Sequence, residues 1–381
     1  MNAAPQLWLG GCGTALAAVV MCYMIAALIA LRVRRVPGQQ RPPLAVPPTT
    51  ILKPLYGAEP ELYEDLRSFC QQDCADLQII FGVHDPADPA LGAVRRLQRE
   101  FAHLDLQIVA NPATHGTSGK VSNLVNMMAL ARHDYLIVAD SDVRVTSDYL
   151  ESVIAPLLDE GVGIVTCLYR ARPRPGLWSL LGSLFVNEWF IPAARVAALF
   201  GSRSFAFGVT IALRRQTLAR IGGFRAIADQ LPDDYRLGQL TRQLGLRTVL
   251  AEVEVETRVD EASFGDLARH ELRWLRTIRT VRPLGYALAG VTFGLPAAIL
   301  GCLLAGASGA TLTMVAITAA ARLMIDSAPR KAFSLLTQLW LVALNDLCAF
   351  ALWCWGFTAR HVHWGAARFR VARDGTAQPI P

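Results

Sequence analysis

Two carboxylates two residues apart, Asp140 and Asp142, close an apolar run, Tyr135-Leu-Ile-Val-Ala139, with Ser141 between them. Acidic side chains at the tip of a buried strand offer the hard oxygen ligands that Mg²⁺ or Mn²⁺ prefers, and such an ion takes phosphate oxygens into the same shell. It also neutralises the charge that develops on a departing diphosphate. Asp142 reads as the direct ligand, and Asp140 as the group that holds a ribose or a metal-bound water. Downstream stands a second acidic pair, Asp233-Asp234, after Pro232. A carboxylate there can take the proton of an acceptor hydroxyl, and its like-charged neighbour raises its pKa. The same pair could instead cap a helix beginning near Tyr235.

Two cationic elements accompany the acids. Residues 114–124 form a Gly-rich turn running into a helix, where the helix N-terminus and Lys120 suit a phosphate or uracil oxygen. His270-Glu-Leu-Arg273-Trp274 opens a basic series in which Arg269, Arg273, Arg276, Arg279 and Arg282 recur every three or four residues. On a helix Arg269, Arg273 and Arg276 share a stripe. That stripe could meet lipid headgroups while Arg273 reaches a diphosphate and Trp274 walls an acceptor site; as an alternative, Trp274 is only an interface anchor. A strand-borne acidic step, a second acidic pair and an Arg-Trp element just before apolar spans, in that order, point to a membrane-bound transferase using a nucleotide sugar.

The elements that must position these groups alternate. Strands are predicted over 50–54, 77–83, 106–110, 135–139 and 163–168, with helices over 61–71, 90–101 and 120–131 between them. This rhythm predicts an α/β fold with a mostly parallel sheet covered on both faces. Ligands in such sheets sit at the carboxyl ends of strands, where Pro54, Asp85 and Asp140 fall.

The 381 residues have a mean hydropathy of +0.33 and are 53% hydrophobic, too apolar for a wholly soluble enzyme. The excess is local. Residues 7–31 carry no charge and can span a bilayer, and 284–306, 307–325 and 333–357 are further candidate spans. The last is interrupted by Asn345-Asp346, an expensive place for a carboxylate. Residues 176–200, broken by Asn187, Glu188 and Pro192, read as an interfacial helix, with an ordinary core helix as the alternative. The first apolar run is too long for a cleaved leader, and Arg32, Arg34 and Arg35 come directly after it. The positive-inside rule then puts the chain beyond residue 32 in the cytosol, where nucleotide sugars are found. The basic tail argues for a cytosolic C-terminus, which requires one C-terminal segment not to cross; the candidate is the segment that carries Asn345-Asp346. The net charge of +6 gathers near the apolar spans and suits anionic lipid headgroups better than nucleic acid. Of the eight cysteines, Cys70 and Cys74 are spaced for one helix face but lack the two further ligands a metal would need.

From about residue 50 onwards the chain resembles the ceramide glucosyltransferase family and, more closely, its bacterial relatives in hopanoid biosynthesis. The resemblance is carried by Ile51-Leu-Lys-Pro-Leu-Tyr-Gly57, Val83-His-Asp-Pro-Ala-Asp-Pro89, Lys120-Val-Ser-Asn-Leu124, Asp140-Ser-Asp142, Asp233-Asp-Tyr235, Arg273-Trp274, Trp364 and the tail over 368–377. It implies a GT-A fold and an inverting transfer from a UDP-sugar to a lipid hydroxyl. Carried over residue by residue, Asp85 or Asp88 lies near the uridine, Asp142 belongs to the metal step, and Asp234 is the base. Pro54, Lys120, Asn123, Asp140 and His270 join the donor site, while Asp233, Arg273 and Trp274 complete the catalytic group. His270 stands where the family usually has Gln or Arg, and a neutral His there would hold a phosphate more weakly. Tyr235 and the phrase over 269–276 resemble the hopanoid branch, which implies transfer of N-acetylglucosamine from UDP-GlcNAc to bacteriohopanetetrol. Glucose transfer to ceramide is the alternative.

The expected organisation is an N-terminal membrane helix and Pro-rich linker (1–48), a GT-A domain (49–268), a basic interfacial helix (269–283), a C-terminal membrane region (284–357) and a basic tail (358–381). The expected setting is a multi-pass protein of a bacterial inner membrane whose catalytic domain faces the cytosol and meets a lipid acceptor, a hopanoid or a sphingolipid. A processive polysaccharide synthase is the nearest rival, but three or four apolar segments are few for a channel. A transporter would not place about 250 mostly polar residues between its terminal spans. An inactive scaffold would not need all the acids.

Overall fold

The computed structural model describes residues 3–32, 45–202, 205–325, 335–358, 361–364, 367–372 and 374–380. The chain runs α1 (Ala3–Arg32), β1 (Thr49–Pro54), α2 (Leu62–Cys70), β2 (Leu77–Val83), α3 (Ala90–Glu100), β3 (Asp105–Ala110), α4 (Gly119–Met127), β4 (Tyr135–Ala139), β5 (Val143–Arg144), α5 (Tyr149–Ile154) and β6 (Val162–Pro173). It continues through α6 (Leu177–Leu184), α7 (Ile191–Leu199), β7 (Thr210–Arg214), α8 (Arg215–Arg220), α9 (Asp233–Gln243), β8 (Arg247–Val259) and α10 (Phe264–Val281). Then come α11 (Pro283–Leu288), α12 (Gly294–Leu304), α13 (Gly309–Met324), α14 (Leu335–Gly356) and the short strands β9 (His361–Trp364), β10 (Ala367–Val371) and β11 (Ala377–Ile380).

These elements form two units that interleave along the chain. One comprises Arg41–Arg172, Ser202–Arg258 and Val371–Pro381; the other comprises Met1–Gln40, Pro173–Gly201 and Val259–Arg370. The linear partition at residues 49, 268 and 357 therefore gives way to an interleaved one. Residues 173–201 belong with the terminal helices, and the last residues belong with the α/β unit. Packing partners, which a linear reading does not contain, decide this.

The α/β unit is built on an eight-stranded sheet ordered β3-β2-β1-β4-β7-β6-β8-β5. The pairs β3–β2, β2–β1 and β1–β4 are parallel, as the βαβα rhythm requires, while β4–β7, β7–β6 and β8–β5 are antiparallel. Strand order reverses between β1 and β4, the kind of switch point at which such sheets bind ligands. One core cluster joins Leu52, Ile80, Leu136 and Val138 of the sheet to Val121, Leu124 and Met127 of α4. Gly82 lets α4 lie this close: a Cβ there would strike the side chains of Asn123 and Met127.

The helical unit gathers α1, α7, α12 and α13 around Val20, Met24, Ala27, Ala297, Ala298, Ala321 and Ile325. Small residues let α1 and α12 nearly touch: a Cβ on Gly301 would lie 2.8 Å from both Ala17 N and Gly13 O. Among the described residues only Trp8–Arg32 is by itself long and apolar enough to cross a membrane; Gly309–Met324 and Trp340–Gly356 are shorter. The expected span over 284–306 is two pieces, Pro283–Thr292 and Gly294–Leu304, bent by 85°. Asn345 and Asp346 lie inside the continuous helix α14, whose apolar part, Trp340–Gly356, is short of a span. Asp346 is accommodated because Arg322 of α13 donates to both its oxygens (2.8 to 3.1 Å), while the same guanidinium donates to Glu188 at 2.9 Å. The interfacial reading of 176–200 is likewise corrected. Leu181, Leu184, Phe185, Val186, Asn187, Glu188 and Ile191 are buried, with Phe185–Phe190 wound as a π-helix between α6 and α7.

Candidate active site

β1 and β4 end side by side at the switch point, and their ends carry the first part of the site. Each residue of the Asp140-Ser141-Asp142 step is held by a different element. The buried Lys53 ammonium of β1 donates to the Asp140 carbonyl. Lys120, in the first turn of α4, lies 2.5 Å from the Asp140 carboxylate. Ser141 donates to Glu59 (3.1 Å), and Asp142 accepts from Thr257 of β8 (2.6 Å). Behind them Arg258 is within 3.4 Å of Glu59 and 3.1 Å of the fully buried Asp65, which also pairs with Arg144 at 2.7 Å. Burial, reinforced by Asp140, pushes the Asp142 carboxyl above its ordinary pKa, and burial together with the Asp142 charge does the same to Glu59. Burial pulls Lys53 down to about 8 against the opposing pull of Asp140, Asp142, Asp65 and Glu59.

The second part is the start of α9. Asp234 N donates to Asp233 (3.0 Å) and Tyr235 N to Asp234 (2.6 Å), so both acids serve the free amides of the first helical turn. Asp234 does more than cap, because its other oxygen accepts from Gly208 N at 2.9 Å. Lys120, Gly208, Asp233 and Asp234 line one small cavity floored by Leu124, Val138, Ile211 and Leu237. Burial and then the Asp233 charge raise the pKa of Asp234 despite those amide donors. Lys120 faces Asp140, Asp233 and Asp234 together; burial disfavours its charge, but these carboxylates outweigh it and keep the ammonium protonated.

The other sequence candidates separate. Pro54 ends β1 beside Gly82. Asp85 is exposed and accepts from Ala87 N at 2.8 Å. Asp88 is buried with its oxygens on Gly57 N (3.0 and 3.1 Å) and Ala90 N (2.8 Å), so it shapes the loop after β1 and leaves Asp85 as the open carboxylate of the two. Asn123 sits in the packing of α4. It is 2% exposed and its amide donates to Gly82 O at 2.6 Å, so this nitrogen is spent on docking α4 against β2. Arg273, Trp274 and His270 lie on α10 in the helical unit, on a helix capped by Ser263 and buried through Leu267, Ala268, Leu272 and Leu275. His270 Nδ1 is 2.7 Å from Glu261. Burial lowers the imidazole pKa, but the bond to Glu261 and then the nearby Glu271 outweigh it, so the pKa lies above the ordinary histidine value. Trp274 stands edge-on to His270 and Phe190.

Lys53, Glu59, Thr257 and Gly208 join the site without having been predicted from sequence. A lysine inside the apolar strand Thr49–Pro54 was a readable signal, because a buried ammonium needs anionic partners. The other three carry no local signature, since each acts across a long sequence separation.

The site is thus a strand-end acidic step facing a lysine and a second acidic pair. The sequence model of glycosyl transferase family 21 matches residues 13–377. The chain belongs to glycosyl transferase family 21. Within curated proteins this family 21 member is similar to ceramide glucosyltransferase 1 of Caenorhabditis elegans, 20% identical over 247 residues that cover 63% of this chain and 53% of that protein. It is also similar to a ceramide glucosyltransferase of Komagataella phaffii, 34% identical over 133 residues, covering 32% of this chain and 26% of that one. The chain spans about half the length of the first of these relatives. Among solved structures it is similar to the mannosyltransferase PcManGT from Pyrobaculum calidifontis, in complex with GDP-Man and Mn²⁺, at 22% identity and a TM-score of 0.54, covering 88% of this chain and 99% of that one. The fold is accordingly of the GT-A type.

Proposed function

We propose that this protein is an inverting glycosyltransferase that moves one sugar from a UDP-sugar to the hydroxyl of a membrane lipid. The observation that carries this reading is the convergence of Asp140, Lys120, Asp233 and Asp234 at the switch point of the sheet. The donor set suits a divalent cation. Asp142 has a hard oxygen carboxylate that accepts from the neutral Thr257 side chain, and Asp140 stands beside it. Among the described residues no three His, Cys, Asp or Glu side chains form a cation cage, so the rest of the shell would come from donor phosphate and water. When bound, the ion supplies charge neutralisation at the diphosphate.

The protein's own groups do the rest. Lys120 presents a positive charge to the donor phosphates. Asp234, raised in basicity by burial and by Asp233, takes the acceptor proton. The freed oxygen bonds to the anomeric carbon as the bond from that carbon to UDP breaks, and the electron pair leaves with UDP. Attack opposite the leaving group inverts the centre. Arg273 is assigned to the departing UDP, Trp274 to the acceptor wall and His270 to the donor phosphates on the strength of their motif, and the hydrogen bond to Glu261 raises the His270 pKa. Membrane association is supported by the Trp8–Arg32 helix. A cytosolic C-terminus is supported by the isolated bridge between Gln230 and Thr376, which ties the tail to the α/β unit.

Tyr235 and the phrase over 269–276 favour N-acetylglucosamine and bacteriohopanetetrol, while the names of the relatives favour glucose and ceramide. Purified protein with Mn²⁺, offered UDP-GlcNAc or UDP-glucose and each lipid in turn, should yield a singly glycosylated lipid by mass spectrometry. A growing sugar polymer would replace this reading with a processive synthase. Asp234→Asn should lose about 10²-fold or more in turnover with donor affinity little changed. Turnover near parental would move the base to Asp233.

A further inference from the structure

The segment that delivers Asp233 and Asp234 does not hold itself in place. Just upstream of the pair, Asp229-Gln230-Leu231 lies against the C-terminal tail, almost 150 residues away in sequence. Leu231 N donates to Gly375 O (3.0 Å), Ala377 N donates to Asp229 O (2.8 Å), and Gln230 and Thr376 form an antiparallel bridge. The tail is pre-shaped for this contact. Ala372 N donates to Thr376 O and Gly375 N to Ala372 O, each at 2.9 Å, and Asp374 accepts from both the amide (3.0 Å) and the hydroxyl (2.9 Å) of Thr376. Gly375 holds φ +90°, and a Cβ on it would lie 2.6 Å from Gln230 Oε1 and 3.3 Å from Pro232. The opposite side of the same segment is pinned as well: Asp229 accepts from Thr117 N at 2.9 Å and Ala228 O accepts from Ser118 N at 2.9 Å. Asp229 thus joins the tail to the turn that starts the Lys120 helix.

We infer that residues 374–377 are a positioning strap for the Asp233-Asp234 turn, so that the C-terminal tail sets the catalytic carboxylates although it touches no substrate. The inference rests on Asp234 being the base. Rigidity is what the strap supplies. A base must stand within hydrogen-bond reach of the proton it takes, and small misplacements of positioned groups cost rate steeply. Pro232 enters α9 without a side-chain cap, so beyond the bond from Gly208 N to Asp234 the turn is held by what grips residues 229–231, and one side of that grip is the tail. Donor binding through Asp140, Asp142 and Lys120 draws on β4 and α4, which the strap does not touch directly.

The test uses the full-length protein, a version ending at residue 373, and Gly375→Ala. Turnover is measured under single-turnover conditions and donor affinity by titration with UDP-sugar and Mn²⁺. Both variants should lose on the order of 10-fold or more in turnover, the scale expected for misplacing a positioned group, while donor affinity changes by less than about twofold. A synthetic peptide of residues 371–381 should restore turnover to the truncated protein, and the same peptide with Gly375→Ala should not. Hydrogen exchange at Leu231 should accelerate in both variants. If the truncated protein unfolds, Gly375→Ala alone decides. Parental turnover in Gly375→Ala, or equal losses of donor binding and turnover in a folded variant, overturns the strap. Asp234→Asn, assayed alongside, separates the two ideas: an inactive Asp234→Asn with a fully active Gly375→Ala removes the strap and keeps the base, whereas an active Asp234→Asn removes the base itself.

Discussion

Two clusters of buried carboxylates and cations, one in each unit, are treated differently. In the helical unit Arg322 spends one guanidinium on both oxygens of Asp346 and on Glu188, tying α13, α14 and the π-helical turn together. In the α/β unit Asp142 meets the neutral Thr257, and the single ammonium of Lys120 faces three carboxylates. Charges answered by protein partners join elements, whereas charges left under-answered at a strand end are available to a ligand. Both clusters bury charge at a cost, and only the second has a site to offer in return.

The contrast is sharpest in what removal should do. Asp142→Ala should abolish Mn²⁺-dependent donor binding while the thermal transition stays close to parental, because the site loses a ligand and the fold loses only the one hydrogen bond from Thr257. Donor bound as tightly as by the parent, measured by calorimetry with Mn²⁺, would break the metal assignment. Arg322→Met should do the reverse. It strands two buried carboxylates and should cost about 3–5 kcal/mol of stability, read as a fall in the denaturation midpoint in detergent, whereas replacing all three charges together with apolar or amide groups should recover most of it. If Arg322→Met is as stable as the parent, the cluster is not a staple.

A smaller effect is expected at Gly82. Gly82→Ala pushes α4 off β2 at Asn123 and Met127 and should cost about 1–3 kcal/mol through overpacking, with donor affinity falling because Lys120 moves with α4. Unchanged stability would show that the helix and the strand leave room for a methyl group. The pH profile separates the regions again. Asp234 has a raised pKa, so the rate should be lost as pH falls through a value above the usual carboxylate range, and Asp234→Asn should lack that limb. Glu271 of α10 is pushed up to about 8, chiefly by burial and then by Glu261. Its folded pKa exceeds its unfolded one, so the native state binds the extra proton, and the stability it contributes below about 4.5 is lost as pH rises towards about 8. Glu271→Gln should flatten that slope in denaturation midpoints between these limits.

Local signals were read well from the sequence. The alternation that yields β1 to β4 with their helices, the strand-end Asp140 and Asp142, and the acidic start of α9 each depend on neighbours within a few residues, where periodicity and residue type carry the information. The antiparallel half of the sheet was not legible, because β7 and β8 enter after long excursions of the chain. Asn123 was named through the family resemblance, and its hydrogen bond to Gly82 O, which docks α4 on β2, was not legible because its partner stands 41 residues earlier. Asp346 marked 333–357 as a weak span because a carboxylate in an apolar run is costly alone; its partner Arg322, 24 residues earlier, and the bend at Phe293 carry no local signal.

By itself, the sequence determined the kinds of chemistry present and the local elements that bear them, since side-chain type and hydrophobic period act over a turn or a strand. The tertiary structure decided which charges meet. Lys53 and Asp140 are 87 residues apart, Thr257 and Asp142 are 115 apart, and Gln230 and Thr376 are 146 apart. Pairings at such separations are fixed only when the sheet and the helices close on their cores, because an isolated stretch of chain pays the loop entropy of such a contact with no packing to offset it.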